Sequence, residues 1–143
     1  MKRTAFPTPQ DAETAFYDAL ERGDLEAMMG VWAEDEEIVC IHPGGPRLAG
    51  YDQVRESWGQ IFNSRQKLQV RISNQVCTQG MMLAIHSVQE NIAVPGEPRA
   101  RSPAVATNVY TRTANGWRML VHHASPAPAA PAPAAADGPK ILH

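Results

Sequence analysis

The sequence predicts an α+β fold in which three N-terminal helices cover one face of a curved antiparallel sheet. Two amphipathic helical patterns come first, an apolar strand and a third helical pattern follow, and four strand patterns extend to Ser125. The chain of 143 residues is 43% hydrophobic and 20% charged, which suits one globular domain. We therefore expect a single domain over residues 1–125 and a separate tail over residues 126–143.

The first two helices are predicted to form a hairpin. Thr8 is placed to cap the first helix, and Pro9 suits its first position. The helix should end near Arg22, since Gly23 tolerates left-handed backbone, and Asp24 should cap the second helix. The apolar stripes at helical spacing are Ala12, Ala15, Phe16, Ala19 and Leu20 in the first helix and Leu25, Met28, Met29 and Trp32 in the second.

Tyr17 lies off the main apolar stripe of the first helix. It could lean over a pocket with its hydroxyl free, or it could be a half-exposed helix tyrosine, because tyrosine suits both settings.

A short apolar strand, Ile38 to Ile41, ends at His42. Pro43 favours extended backbone at His42 and removes a ladder donor, and the following glycines do not continue a strand easily. Because side chains alternate along a strand, Ile38, Cys40 and His42 share a face. We expect the His42 ring to face an interior cavity near the open end of the sheet.

Residues 50–62 have helical spacing with an aromatic face that includes Trp58. The strand patterns that follow span residues 67–78, 81–94, 101–113 and 117–125, which predicts an antiparallel meander. Asn115-Gly116 predicts a type I′ turn between the last two strands.

Both faces of these strands carry apolar residues, for instance Met81, Leu83 and Ile85 opposite Met82, Ala84 and Val88. Helices can cover only one face, so we expect a homodimer through the other.

Composition limits the partners and the compartment. The formal charge is −2 and no basic block is present, which favours neither nucleic acid nor an anionic membrane and leaves a small ligand as the expected partner. No apolar segment follows the basic N-terminal residues, and no apolar run approaches the roughly 18 residues of a membrane span. We therefore expect a cytoplasmic protein in which Cys40 and Cys77 are reduced core residues.

The segment from Ser125 to Ala136 is almost entirely proline and alanine, which predicts an extended tail. It leads to Ile141-Leu142-His143, which could dock on the domain or on a partner, or could be a frayed terminus.

Four strings of residues resemble those of one family. They are Trp32-Ala-Glu-Asp with Ile38-Val-Cys-Ile-His-Pro-Gly-Gly-Pro-Arg-Leu-Ala-Gly50, then Ala106-Thr-Asn-Val-Tyr-Thr-Arg-Thr113, and then Trp117-Arg-Met-Leu-Val-His-His-Ala-Ser125. From Asp11 to Ser125 the chain resembles the SnoaL-like branch of the nuclear transport factor 2-like superfamily, which includes ketosteroid isomerases. The resemblance implies a cone-shaped barrel with a deep pocket and commonly a homodimer. It does not imply one reaction, since members isomerise, cyclise, dehydrate or merely bind.

The resemblance also implies a role for His42. Ketosteroid isomerases place their proton-shuttling aspartate just before a proline at the end of the corresponding strand, and His42 stands there before Pro43. Imidazole can take and return a proton near neutral pH. The isomerases also use a tyrosine of the first helix and a protonated acid on a late strand. Tyr17 matches the tyrosine, but residues 104–113 contain no matching acid, so we do not expect steroid isomerisation by that arrangement.

The other histidines leave alternatives open. His122 and His123 are neighbours on a strand and point to opposite faces, so only one can enter a pocket. His86 shares a strand face with Glu90 and with apolar residues, and such a combination of polar and apolar side chains suits either a dimer surface or a pocket lining. His42, His86 and one of the paired histidines could in principle converge on zinc or iron, but no His-x-x-x-His or paired-cysteine spacing supports a metal. We expect neither metal nor cofactor.

Asn108 and Tyr110 share a strand face with Ala104 and Ala106, whose small side chains would leave space for a ligand. We expect that face to line the pocket, although Asn108 could instead satisfy buried backbone groups.

Two function classes remain. The first is an isomerase, cyclase or dehydratase acting on a small apolar carbonyl compound, with His42 as general base and His122 or His123 and Tyr17 as catalytic partners. Its expected ligand-binding residues are Cys40, Trp58, Asn108 and Tyr110. The second is a non-catalytic ligand-binding or dimerisation module of the same fold. A base and donors that converge on a common point would favour the enzyme, whereas a lone histidine among apolar walls would favour binding.

Overall fold

The computed structural model describes residues 4–34, 37–64, 67–98 and 101–128. The Ile141-Leu142-His143 segment lies outside these residues. The elements in chain order are α1 (Pro9–Arg22), α2 (Leu25–Val31), β1 (Val39–Ile41), β2 (Arg47–Ala49), α3 (Tyr51–Asn63), β3 (Gln69–Gln79), β4 (Leu83–Ala93), β5 (Ala104–Thr113) and β6 (Gly116–Pro126). The predicted α+β class, with three helices ahead of the long strands, is confirmed.

The helix hairpin has the predicted caps. The Thr8 hydroxyl accepts a hydrogen bond from the Asp11 backbone N–H at 3.1 Å. Gly23 adopts a left-handed conformation with φ of 64°, and the Asp24 carboxylate accepts from the Ala27 backbone N–H at 3.0 Å. These bonds satisfy backbone groups that a helix end would otherwise leave unpaired.

The six strands of the described residues form one sheet in the order β2-β1-β6-β5-β4-β3. The sheet is mixed rather than wholly antiparallel, because β1 pairs in parallel with β6 and places Cys40 opposite His122. The unpredicted strand β2 pairs antiparallel with β1. Gly44, with φ of 73°, lies in the turn that reverses the chain between them, so the glycines after His42 do not end the sheet as expected.

The turn between β5 and β6 differs from the prediction. Thr113 pairs with Gly116, so the two-residue loop is Ala114-Asn115, and Asn115 lacks the positive φ of a type I′ turn. Gly116 has φ of 95° and begins β6 at the end of the β5–β6 hairpin, where it forms a parallel bridge with Phe6 of the segment before α1. A Cβ at Gly116 would lie 2.6 Å from the Phe6 nitrogen, so a close backbone approach explains this glycine.

The core lies between the helices and the inner face of the sheet. Phe16 of α1 packs edge-on against Tyr17, Trp32 and Trp58. A bulge at Asn74, with φ of 52°, shifts the β3–β4 register between Ser73 and Val76 and bends the sheet.

The outer face of the sheet keeps its apolar side chains exposed, among them Val76, Leu83, Ile85 and Val105. The prediction that both cysteines are core residues is half wrong. Cys40 is buried and free, whereas Cys77 is free and exposed because it lies on the edge strand β3.

Candidate functional site

A cavity of about 370 Å³ lies between α1, α3 and the inner face of the sheet. Its walls are mostly apolar, with Leu20, Trp58 and Ile61 on the helical side. The polar lining residues are His42, Glu90, Arg101, Ser102 and His122. An apolar pocket with a few converging polar groups is typical of a small-molecule site.

His42 lines this cavity from the end of β1. Its Nε2 lies 2.7 Å from the Ser57 hydroxyl of α3 and 3.7 Å from the Cys40 sulfur. The Trp58 ring meets the imidazole edge-on, with ring centres 4.7 Å apart. Burial lowers the pKa of His42, so its imidazole is neutral near pH 7 and can accept a proton.

His122 is the paired histidine that enters the cavity, since it is only 3% exposed while His123 is exposed on the other face. Its Nδ1 lies 2.6 Å from the Asn108 side-chain oxygen. The Asn108 amide nitrogen faces two acceptors, Tyr17 Oη at 3.0 Å and Glu13 Oε2 at 3.4 Å. The Asn108 oxygen therefore accepts from Nδ1–H, which leaves His122 Nε2 as an acceptor.

Burial lowers the pKa of His122 to about 3, and the nearby His42 and His123 add to the effect. His122 is therefore neutral at physiological pH. It is a weak base, but the bond to Asn108 orients its ring so that Nε2 can accept a hydrogen bond. Nε2 lies 4.0 Å from Glu90 Oε2.

Glu90 of β4 is a site residue that the sequence prediction did not assign. It lines the cavity and accepts a hydrogen bond of 2.6 Å from the Tyr17 hydroxyl. Burial raises the pKa of Glu90, Glu13 raises it further, and the Tyr17 bond opposes the rise. The sequence prediction considered an acid only on residues 104–113, whereas this buried carboxyl lies on β4 and accepts, rather than donates, its bond with Tyr17. Glu90 shares a strand face with the apolar residues Ala84 and Val88, and this alternation could have predicted that its side chain points inward.

Tyr17 fits neither open alternative, because it is buried and its hydroxyl is bonded to Glu90. Burial raises the pKa of Tyr17, so the phenol keeps its proton. Tyr17 therefore holds Glu90 from behind the cavity wall.

Glu13 of α1 organises a second polar cluster deeper in the fold. Its Oε2 accepts from Tyr110 Oη at 3.1 Å and lies 2.9 Å from His86 Nδ1, while its Oε1 accepts from Gln75 Nε2 at 3.0 Å. His86 is fully buried, so it is neither a dimer surface nor part of the cavity lining. The sequence prediction did not assign Glu13, although it precedes Tyr17 by one helical turn.

The structure thus divides the predicted site residues. His42, Trp58 and His122 line the cavity, whereas Cys40, Tyr17, Asn108 and Tyr110 are outside its lining and support it or the Glu13 cluster. Burial raises the pKa of Cys40 to about 12, so its thiol is not a nucleophile near pH 7.

Within the described part of the chain, no group of three or more His, Cys, Asp or Glu side chains is arranged to hold a metal ion. None of the described helices is long and apolar enough to span a membrane.

Comparison with protein families gives a match over most of the chain, because the model of the SnoaL-like domain family matches residues 10–130. A curated relative, the F-box protein SKIP8 of Arabidopsis thaliana, is 27% identical over 112 residues, which are 78% of this chain and 46% of SKIP8. The chain therefore spans less than half the length of that relative.

Two solved structures are similar in sequence and fold. A protein of Thiobacillus denitrificans ATCC 25259, proposed to be a calcium/calmodulin-dependent protein kinase type II association domain, is 41% identical with a TM-score of 0.78, over 87% of this chain and 98% of that one. A protein of Streptomyces avermitilis, proposed to be a dehydratase of the NTF2-like family, is 35% identical with a TM-score of 0.75, over 82% of this chain and 92% of that one.

Proposed function

This chain belongs to the SnoaL-like family of the nuclear transport factor 2-like superfamily, and from that premise we propose that its cavity binds a small, largely apolar carbonyl compound and transfers a proton on it. The reaction class is isomerisation, cyclisation or dehydration. The observation that carries the proposal is that His42, Glu90 and His122 line one cavity whose walls are mostly apolar.

His42 and Glu90 are the proton-transfer groups in this proposal. Burial lowers the pKa of His42, which keeps its ring neutral and able to accept a proton. Burial raises the pKa of Glu90, which brings the pKa of its carboxyl closer to neutral pH, where proton transfer is most effective. Neutral His122, oriented by Asn108, is suited to accept a hydrogen bond from a substrate hydroxyl. The similarity to a protein proposed to be a dehydratase supports this class.

Deuterium exchange tests the proposal without knowledge of the natural substrate. The probe is 2-tetralone, a small apolar ketone whose α-protons exchange with D2O, followed by NMR. We expect the wild-type protein to accelerate exchange above the buffer rate, and His42→Ala and Glu90→Gln to reduce the acceleration by about 10²–10⁴-fold. His123→Ala is the matched control, because that ring lies on the other face of the sheet and should leave the rate unchanged.

Binding is measured separately by tryptophan fluorescence, since Trp58 lines the cavity. Binding of 2-tetralone without accelerated exchange would contradict the enzyme proposal and support a non-catalytic binding module. Equal exchange in the His42 and His123 variants would remove His42 from the mechanism.

An association module is the second candidate. The exposed apolar face of the sheet favours it, as does the similarity to a protein proposed to be an association domain. The two candidates differ in the exchange reaction, because a module that only assembles should not accelerate the α-proton exchange of 2-tetralone. Its self-association should depend on the outer face of the sheet and not on His42, which lines the inner cavity.

A further inference from the structure

Arg101 lines the cavity at its exposed rim, and it is the one Lys or Arg among the described lining residues. Its backbone N–H bonds to the Ile92 carbonyl of β4 at 3.3 Å. Ile92 lies two residues beyond Glu90 on the same strand, so the Arg101 backbone and the Glu90 backbone are on the order of 7 Å apart along the sheet. A cation therefore lies at the rim and the proton-transfer groups lie further in.

The guanidinium is weakly engaged within the protein. Its Nε and Nη2 make long hydrogen bonds of 3.4 Å to the Glu97 carboxylate. Both side chains of this pair are more than two-fifths exposed, at 43% and 41%. An exposed ion pair of this kind contributes little to stability, and a guanidinium has five N–H donors, so an incoming anion can compete for Arg101 at low cost.

We propose that the ligand of this cavity is a largely apolar oxo acid whose carboxylate binds Arg101 at the rim while its carbonyl lies beside His42 and Glu90. This inference rests on the proposed function and adds the charged group of the substrate. A planar guanidinium matches a carboxylate with two parallel hydrogen bonds. This orientation also keeps the ligand carboxylate away from the Glu90 carboxyl. In the opposite orientation the ligand carboxylate would lie beside Glu90.

The cavity walls between Arg101 and the His42–Glu90 end suit the apolar body of such a molecule. Ile61 and Leu68 contribute aliphatic surface, and Pro103 and Pro126 lie with Arg101 on the β5–β6 side. The cavity of about 370 Å³ is near the lower end of ligand-site volumes, so the ligand is small.

Matched acids and amides test the inference, because they differ in charge and hardly in shape. The probes are octanoate with octanamide and 4-phenylbutanoate with 4-phenylbutanamide, with affinity measured by calorimetry. We expect the wild-type protein to bind each acid at least about tenfold more tightly than its amide, as a charge-assisted hydrogen bond requires. Arg101→Gln should remove that preference and leave amide affinity unchanged, and its melting temperature should match the wild type.

Arg112→Gln is the control, since it removes one positive charge from an exposed position of β5 outside the lining. It should keep the preference for the acids. Equal affinity of acids and amides in the wild-type protein would overturn the inference and leave the pocket function standing. An acid preference that survives Arg101→Gln would overturn it too. If neither acids nor amides bind, the inference fails, whereas the proposed function is decided separately by the binding and α-proton exchange of 2-tetralone.

Discussion

Glu13 is the residue on which the inner polar cluster depends. Its carboxylate joins α1 to three strands through hydrogen bonds with Gln75 of β3, His86 of β4 and Tyr110 of β5. Most of these groups are buried, so a partner left without its carboxylate would lose a hydrogen bond that water cannot replace.

We therefore expect Glu13→Ala to lower the free energy of unfolding by about 3–5 kcal/mol, because it leaves several buried polar groups unpaired. Tyr110→Phe removes a single bond and should cost about 1 kcal/mol. Glu56→Ala, at an exposed position of α3, should change stability by less than about 0.5 kcal/mol. Urea unfolding measures all three, and a loss below 1 kcal/mol for Glu13→Ala would contradict this role.

His122 should make stability depend on pH. Its pKa is about 3 in the folded chain, because of burial, and near 6.5 in the unfolded chain. Between these values the unfolded chain holds a proton that the folded chain does not, so stability falls as pH falls through this window. One proton corresponds to a slope of about 1.4 kcal/mol per pH unit.

His122→Gln removes this proton, so its stability should fall less steeply than that of the wild type between pH 6.5 and the acid limit of folding. His42 and Glu90 titrate in both proteins, and the comparison isolates His122. Urea unfolding at a series of pH values measures the slopes, and parallel slopes would show that His122 does not titrate on unfolding.

Strand alternation was enough to predict the inward faces of His42 and of one paired histidine, because both depend only on local geometry. Local sequence patterns could not predict the hydrogen-bond partner of Tyr17. The bond from Tyr17 to Glu90 joins residues 73 positions apart in sequence, so it depends on how α1 lies on the sheet.

At the scale of elements, periodicity located the three helices and the long strands, since each repeats its pattern over several turns or residues. It missed β2, which has only three residues, and the parallel pairing of β1 with β6, which is a tertiary contact. That pairing matters for the site because it brings His122 opposite Cys40, two residues before His42.

The crossing of the N-terminal segment over the β5–β6 turn can be tested with two glycines. Gly116 and Gly96 have similar φ values, 95° and 92°, so alanine is strained at both. Only at Gly116 would the new Cβ lie 2.6 Å from Phe6, whereas nothing lies within 4 Å at Gly96. We expect Gly116→Ala to cost about 2 kcal/mol more than Gly96→Ala in thermal or urea unfolding. Equal costs would show that the Phe6 segment is not tightly packed there.

At the scale of the whole molecule, the described residues leave one face of the sheet uncovered. Leu83, Ile85 and Val105 alternate with inward residues on β4 and β5, and they are between 44% and 49% exposed. Val76 and Met81 are still more exposed. The described helices lie on the other face, so nothing in the described chain removes this apolar surface from water.

We expect this face to pair two copies of the chain as a homodimer, because a second apolar sheet face is a suitable cover for the first. Light scattering or sedimentation at micromolar concentration should return the mass of two chains. Ile85→Asp places a charge among these exposed apolar side chains and should weaken the dimer at least about tenfold, since an unpaired charge in an apolar interface is costly. Asn63→Asp adds the same charge at an exposed position of α3 and should leave the mass unchanged. A wild-type monomer at that concentration, or equal association of the two variants, would show that this face does not form the interface.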